Sequence, residues 1–131
     1  MKRVALTGAT GFVGARVLNH LLARGLDVAA LARRPQPERP GVRWVAGDLD
    51  DRRALAALID GVDAVVHIAG LIKARREGHF FDVNAAGTAR LLDVLGDRPV
   101  RLIHLSSLAA RQPALSAYAA SKAAAERLVE G

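Results

Sequence analysis

Short apolar segments rich in β-branched residues alternate along the chain with longer segments of helical period. The short segments predict five strands, at residues 4–7, 27–32, 42–46, 64–69 and 100–105. The longer segments predict four helices, at residues 13–22, 52–59, 79–95 and 115–129. Such alternation implies an α/β fold with a doubly wound parallel sheet and helices on both faces. Right-handed crossovers then give the strand order 3-2-1-4-5.

The composition is that of one ordinary soluble domain. The chain has 131 residues, of which 51% are hydrophobic, 24% are charged and only 4% are aromatic. No apolar run approaches the roughly 18 residues that span a bilayer, so no membrane segment is expected. The sequence contains no cysteine, which excludes disulfides and thiolate metal sites and favours a reducing, cytoplasmic location.

The basic residues do not indicate a nucleic-acid surface. The formal charge is +6, but the arginines are spread along the chain and few aromatic side chains accompany them. A solvated surface is the simpler interpretation, and no nucleic-acid partner is predicted. The local cluster of Lys73, Arg75 and Arg76 fits either a solvated loop or a surface that faces an anionic substrate.

Three glycines follow the first predicted strand and open the first predicted helix. Gly8, Gly11 and Gly14 are spaced three residues apart. The first suits a tight turn, the second lets backbone approach a pyrophosphate, and the third lets the helix pack close to the strand. The exposed N–H groups and the dipole of the first helical turn favour phosphate. The pattern predicts a dinucleotide site, against the alternative of a purely structural turn.

The segment Thr-Gly-Ala-Thr-Gly-Phe-Val-Gly, residues 7–14, resembles the turn of the extended and atypical short-chain dehydrogenases/reductases. These are nicotinamide-dependent enzymes that include NAD-dependent epimerases and dehydratases. The resemblance implies a Rossmann-type NAD(P)-binding domain over residues 1–131. It also implies that Thr10, Phe12 and Val13 join the three glycines in holding the cofactor.

The end of the second strand bears on the choice of cofactor. An NAD-selective site places Asp or Glu there to accept from the ribose 2′-OH. This chain has Arg33, whose guanidinium can bind a 2′-phosphate through two hydrogen bonds. NADP(H) is therefore favoured over NAD(H). The alternative is a loop arginine in an arginine-rich protein.

The resemblance places further cofactor contacts at the ends of later elements. Asp48 and Leu49 match the pair that contacts the adenine ring, although Asp48 could also cap the helix that follows. Ala69 and Gly70 match the small residues under the cofactor. Asn84 matches a helical asparagine that positions a water or the lysine, and a local bond from its side chain to the backbone is an equal alternative.

A catalytic group is expected near the C-terminal end. Tyr118 and Lys122 stand at i and i+4 on one face of the last predicted helix. A nearby ammonium favours the phenolate and lowers the pKa of the tyrosine, which makes it a usable general acid/base. A strand-ending serine can hold the substrate oxygen beside it. In this order the residues resemble the Ser-Tyr-Lys triad of the family, in which Ser107 takes the serine's role.

No metal site is predicted. None of the four histidines, His20, His67, His79 and His104, stands at metal-ligand spacing with another. His67 fits a residue packed within the fourth strand.

The resemblance also bears on the C-terminal end of the chain. Extended members continue with further strands and a substrate-binding part. The chain is therefore expected to be truncated after the helix that carries Tyr118 and Lys122, and to be inactive alone. The fifth strand would then leave an open sheet edge. Self-association through that edge, or through the last helix, is expected.

Two functions remain open at this point. The first is an NAD(P)-dependent epimerase, dehydratase or reductase that moves hydride at a carbonyl or hydroxyl of a sugar nucleotide or similar small molecule. The second is a non-catalytic subunit that binds NADP(H) for regulation or structure. The Tyr118–Lys122 pair favours chemistry.

Overall fold

The computed structural model describes residues 2–68, 85–105, 124–125 and 127–129. These residues contain a five-stranded parallel sheet in the order β3-β2-β1-β4-β5, which confirms the predicted topology. The strands are β1 (Arg3–Thr7), β2 (Asp27–Ala32), β3 (Val42–Ala46), β4 (Ala64–His67) and β5 (Arg101–His104). The helices are α1 (Phe12–Ala23), α2 (Arg52–Ile59) and α3 (Gly87–Leu95). Residues 124–125 and 127–129 are also helical.

The predicted element boundaries agree with the structure to within two residues where it describes them. Strand β4 ends at His67, two residues before the predicted end. Strand β5 is shorter than predicted by one residue at each end. Of the helices predicted at 79–95 and 115–129, residues 79–84, 115–123 and 126 lie outside the described residues.

Each face of the sheet carries its own apolar core. Alternate residues of a strand point to opposite faces, so neighbours such as Ala5 and Leu6 belong to different clusters. The larger cluster lies under α2 and α3 and is centred on Leu55, Leu58 and Leu91, which are fully buried. The smaller lies under α1. Because both faces are covered at the centre of the sheet, strands β1, β2 and β4 have continuous apolar interiors, whereas the outer strands β3 and β5 alternate in exposure.

Helix α1 buries a narrower stripe than its sequence predicts. Leu18 is buried, and Val17, Leu21 and Leu22 pack partly against the same cluster. Val13 was expected to belong to this stripe but is exposed in the first turn. The position of the first turn that faces the Gly8 carbonyl is Gly14, and Val13, one residue earlier, lies about 100° away around the helix.

The sheet register aligns the strand ends that matter for function. Thr7 pairs with His67, and His67 pairs with His104, so three polar residues stand in a row at the carboxyl edge. Ala32 and Ala46 end β2 and β3 together on the same edge. The segments that follow β1, β2 and β3 therefore leave the sheet side by side.

The opposite, amino-terminal edge is fixed by Asp63. Its carboxylate accepts the backbone N–H groups of Lys2 and Arg3, at 3.0 and 3.1 Å. These two hydrogen bonds hold the pKa of Asp63 below its ordinary value, since they favour the charged form. They also fix where β1 begins relative to β4.

The outer strand β5 exposes apolar side chains. Ile103 and Leu105 are each about half exposed. Self-association through this edge stays a prediction.

Within the described part of the chain, no helix has the length and apolar character needed to cross a membrane.

Candidate functional site at the carboxyl edge of the sheet

The glycine turn joins β1 to α1 through contacts that side chains would block. Gly8 has a φ of +78°, in the region that disfavours other residues. The N–H of Gly11 donates to the carbonyl of Gly8 at 3.1 Å and closes the turn. A Cβ on Gly14 would lie 1.6 Å from the same carbonyl oxygen, whereas a Cβ on Gly11 would lie at an ordinary 3.4 Å. Close packing therefore requires glycine at position 14 but not at 11.

The first turn of α1 offers backbone donors to an anion. The helix begins after Gly11, and no described side chain caps its N–H groups. The first turn carries no acidic residue, so nothing there opposes a negative ligand. Phe12 is 77% exposed, and the guanidinium of Arg16 lies 4.5 Å from its ring centroid. The turn therefore presents backbone donors that no described side chain caps, with a cation nearby.

Arg33 follows the last residue of β2 and is exposed, as is Arg34. Among the described residues no carboxylate forms an ion pair with either guanidinium. The N–H of Gly47 donates to the carbonyl of Ala32 at 3.0 Å, which places the exit of β3 directly beside that of β2. Arg33 and the Asp48–Leu49 segment thus leave the sheet together.

Asp48 does not cap α2, contrary to the capping alternative. The cap is Asp51, whose carboxylate accepts from the N–H groups of Arg53 and Ala54 at 3.0 and 3.1 Å. Helix α2 begins at Arg52, so Asp48 lies too early to reach its first turn. The Asp48 carboxylate accepts instead from the N–H of Asp50, at 2.9 Å. Leu49 is buried in the larger core cluster, so Asp48 is the more accessible of the predicted adenine-contacting pair.

A buried group of three polar side chains, Thr7, His67 and Thr88, lies under this edge. The sequence did not predict it. His67 is 1% exposed, as expected for a packed residue, but both ring nitrogens are hydrogen-bonded. Nδ1 pairs with Thr7 Oγ1 at 2.7 Å, and Nε2 pairs with Thr88 Oγ1 at 2.9 Å. Thr7 Oγ1 also accepts from the N–H of Ile68 at 3.0 Å. The group therefore ties β1, β4 and α3 together directly below the glycine turn.

The remaining predicted site residues lie outside the described residues. They are Ala69, Gly70, Asn84, Ser107, Tyr118 and Lys122. Strand β4 precedes Ala69 and Gly70, strand β5 precedes Ser107, and both parallel strands end at the carboxyl edge. His79 also falls outside, and the described chain contains no group of three potential metal ligands.

Comparison with known proteins supports the prediction of a Rossmann-type dinucleotide-binding domain. The family model described as the NAD dependent epimerase/dehydratase family matches residues 4–131. The chain belongs to this family. Its members are NAD(H)-binding proteins with a Rossmann-type sheet, which agrees with the glycine turn and the strand order of this chain.

A curated relative and two solved structures illustrate the likeness. A ceramide reductase of Caulobacter vibrioides is 44% identical over an alignment of 131 positions that covers 96% of this chain and 41% of the relative. A short-chain dehydrogenase/reductase superfamily protein of Agrobacterium tumefaciens with bound NAD superposes with a TM-score of 0.85, at 30% identity. That match covers 97% of this chain and 44% of the other. MoeE5 in complex with UDP-glucose and NAD superposes with a TM-score of 0.84 at 30% identity, covering 96% and 47%.

This chain spans less than half the length of each of these three proteins. The matched part is the half that holds the glycine turn and the five parallel strands. Family membership and fold follow from the comparisons, whereas the activity of the whole protein does not.

The two later glycines of the turn should separate fold from cofactor binding. Gly14→Ala should lower the melting temperature strongly, because its Cβ would overlap the Gly8 carbonyl and such overpacking costs about 1–3 kcal/mol or more. Gly11→Ala should leave the melting temperature nearly unchanged and weaken cofactor binding, because its Cβ occupies space that the pyrophosphate approaches. Thermal melts and fluorescence titration with NADPH measure both effects. Equal behaviour of the two variants would contradict the assigned roles.

Proposed function

We propose that this chain forms the NADP(H)-binding part of an oxidoreductase or epimerase that moves hydride at a carbonyl or hydroxyl carbon. The observation that carries the proposal is the glycine turn, in which α1 packs on the Gly8 carbonyl and presents the backbone donors of its first turn. Arg33 after β2 would bind a 2′-phosphate, and Asp48 after β3 would contact the adenine.

The described residues fit a dinucleotide. Gly8, Gly11 and the first turn of α1 would hold the pyrophosphate through backbone N–H groups. Asp48 would contact the adenine side, next to Arg33. Nicotinamide supplies hydride donation and acceptance at its C4 atom. This chain's own residues contribute binding, orientation and proton handling.

Arg33 supports NADP(H) as the cofactor. Its guanidinium stands where an NAD-selective site would place a carboxylate, and no described acid pairs with it. The carboxylates nearby are occupied: Asp51 caps α2, Asp50 pairs with Arg90, and Asp48 accepts a backbone N–H. A 2′-phosphate would therefore meet an available cation at this position.

The proposed proton transfer rests on Ser107, Tyr118 and Lys122. Tyr118 would give a proton to, or take one from, the substrate oxygen, while Ser107 holds that oxygen by a hydrogen bond. Lys122 would lower the pKa of the tyrosine through its positive charge. Ser107 follows the end of β5 by three residues along the chain, and β5 ends at the sheet edge where the glycine turn lies.

The substrate class is a small molecule that carries a reducible carbonyl or an oxidisable hydroxyl. Two similar proteins indicate different substrates within this class. One is named for ceramide, and the other was solved with UDP-glucose. A sugar nucleotide remains the first candidate, and a panel that also contains ceramide-like lipid ketones separates the two.

Reversing the charge at Arg33 should reverse the cofactor preference. We expect the native chain to bind NADPH more tightly than NADH, and Arg33→Asp to lose roughly ten-fold or more in NADPH affinity because a carboxylate repels the 2′-phosphate. Fluorescence titration with both cofactors measures this. Arg101→Asp makes the same charge change at the amino-terminal end of β5, away from the site, and should leave the ratio of the affinities unchanged. An NADH preference in the native chain would falsify the assignment.

Removing the phenol of Tyr118 should separate binding from chemistry. In the full protein that carries this segment, Tyr118→Phe should abolish turnover on the substrate panel, because the proton donor is lost. Binding of NADPH should stay nearly unchanged, which provides the internal control. Normal turnover by Tyr118→Phe would remove the tyrosine from the mechanism and favour a cofactor-binding subunit without catalysis.

A further inference from the structure

Two arginine–aspartate pairs connect α3 to the segment between β3 and the end of α2. Arg52 of α2 pairs with Asp93 of α3, and Arg90 of α3 pairs with Asp50 in the turn before α2. The pairs differ in burial. The side chains of Arg52 and Asp93 are 58% and 68% exposed, whereas in the second pair Asp50 is 74% exposed and Arg90 only 23% exposed. Arg90 is thus the only one of these four side chains that is mostly withdrawn from solvent.

The turn that Arg90 contacts is the one that follows β3. Arg90 Nη2 donates to Asp50 Oδ1 at 2.5 Å. The N–H of Asp50 in turn donates to the Asp48 carboxylate at 2.9 Å, and the N–H of Asp51 donates to the Asp48 carbonyl at 3.1 Å. The side chain of Asp48 is therefore oriented by Asp50, and Asp50 is held by Arg90.

The buried end of Arg90 argues against a role in stability alone. Its Nη1 atom is buried, and no hydrogen-bond acceptor for it exists among the described residues. Burying a charged donor without an acceptor costs free energy, so an uncharged side chain would suit that half-buried position better if packing were its whole role. The arginine's further contribution at this position is its ion pair with Asp50 in the turn before α2.

We infer that Arg90 is a positioning residue for the adenosine half of the cofactor. Through Asp50 it fixes the Asp48 turn, which stands beside Arg33 because Gly47 donates to the carbonyl of Ala32. The inference rests on the proposed function, since it concerns the same cofactor site. Arg90 touches the turn and not the reacting atoms, so it should affect affinity for the adenylate half and not the chemistry.

The Asp50–Arg90 pair can be tested against the Asp93–Arg52 pair as a matched control. The ligands are NADPH and adenosine 2′,5′-bisphosphate, which carries only the adenylate half. Asp50→Ala removes a negative charge near an anionic ligand, which by itself would tighten binding. We expect the opposite, roughly five-fold weaker binding of both ligands, because the turn loses its tether. The control variant Asp93→Ala removes the same charge from the Arg52–Asp93 pair. Its affinities for both ligands should stay within about two-fold of the native values.

A second variant and a charge swap complete the experiment. Arg90→Ala should weaken both ligands as Asp50→Ala does, and the double variant Asp50→Arg with Arg90→Asp should recover most of the affinity. Melting temperatures are measured in parallel, since a purely structural pair would change stability without changing affinity.

The outcomes separate this inference from the proposed function. If the native chain binds neither ligand, both fail. If it binds them but Asp50→Ala behaves as Asp93→Ala does, or if the charge swap recovers nothing, the inference on Arg90 alone is overturned.

Discussion

The contact between Gly14 and the carbonyl of Gly8 sets the geometry on which the site depends. Helix α1 can lie against the exit of β1 only because no side chain separates them, since a Cβ there would lie 1.6 Å from the oxygen. That closeness brings the first N–H groups of the helix to the carboxyl edge of the sheet, at the centre of its five strands. A helix displaced outward would point its donors and its dipole past the strand ends.

The neighbouring strand ends are held to the same edge by polar contacts. His67 joins Thr7 of β1 to Thr88 of α3 through its two ring nitrogens, and the pair of Arg90 with Asp50 joins α3 to the turn after β3. The apolar clusters on the two faces stabilise the sheet without specifying where its loops point. Directional hydrogen bonds do specify this, so these polar contacts fix how the strand ends and the helix beside them are placed.

Periodicity and glycine spacing predicted most of this arrangement from the sequence. The strand order, the glycine turn and the exposed arginine after β2 depend on local patterns and on handedness, which a sequence displays directly. The His67 contacts and the Arg90–Asp50 pair were not predicted, because each joins residues 21 to 60 positions apart whose meeting depends on strand register and helix packing. The burial expected for Val13 and the capping alternative for Asp48 were wrong for a different reason: periodicity does not decide which residue at a helix start is buried, or which of several nearby aspartates is the cap.

The most direct test of the account is amide hydrogen exchange with and without NADPH. Binding of NADPH should slow exchange in two separate segments, the turn from Gly8 to Gly14 and the stretch from Arg33 to Asp50, which runs from the exit of β2 to the exit of β3. Exchange at the amino-terminal edge around Asp63 should not change. Protection confined to the amino-terminal edge, or none in either predicted segment at saturating cofactor, would contradict a dinucleotide site at the carboxyl edge of this sheet.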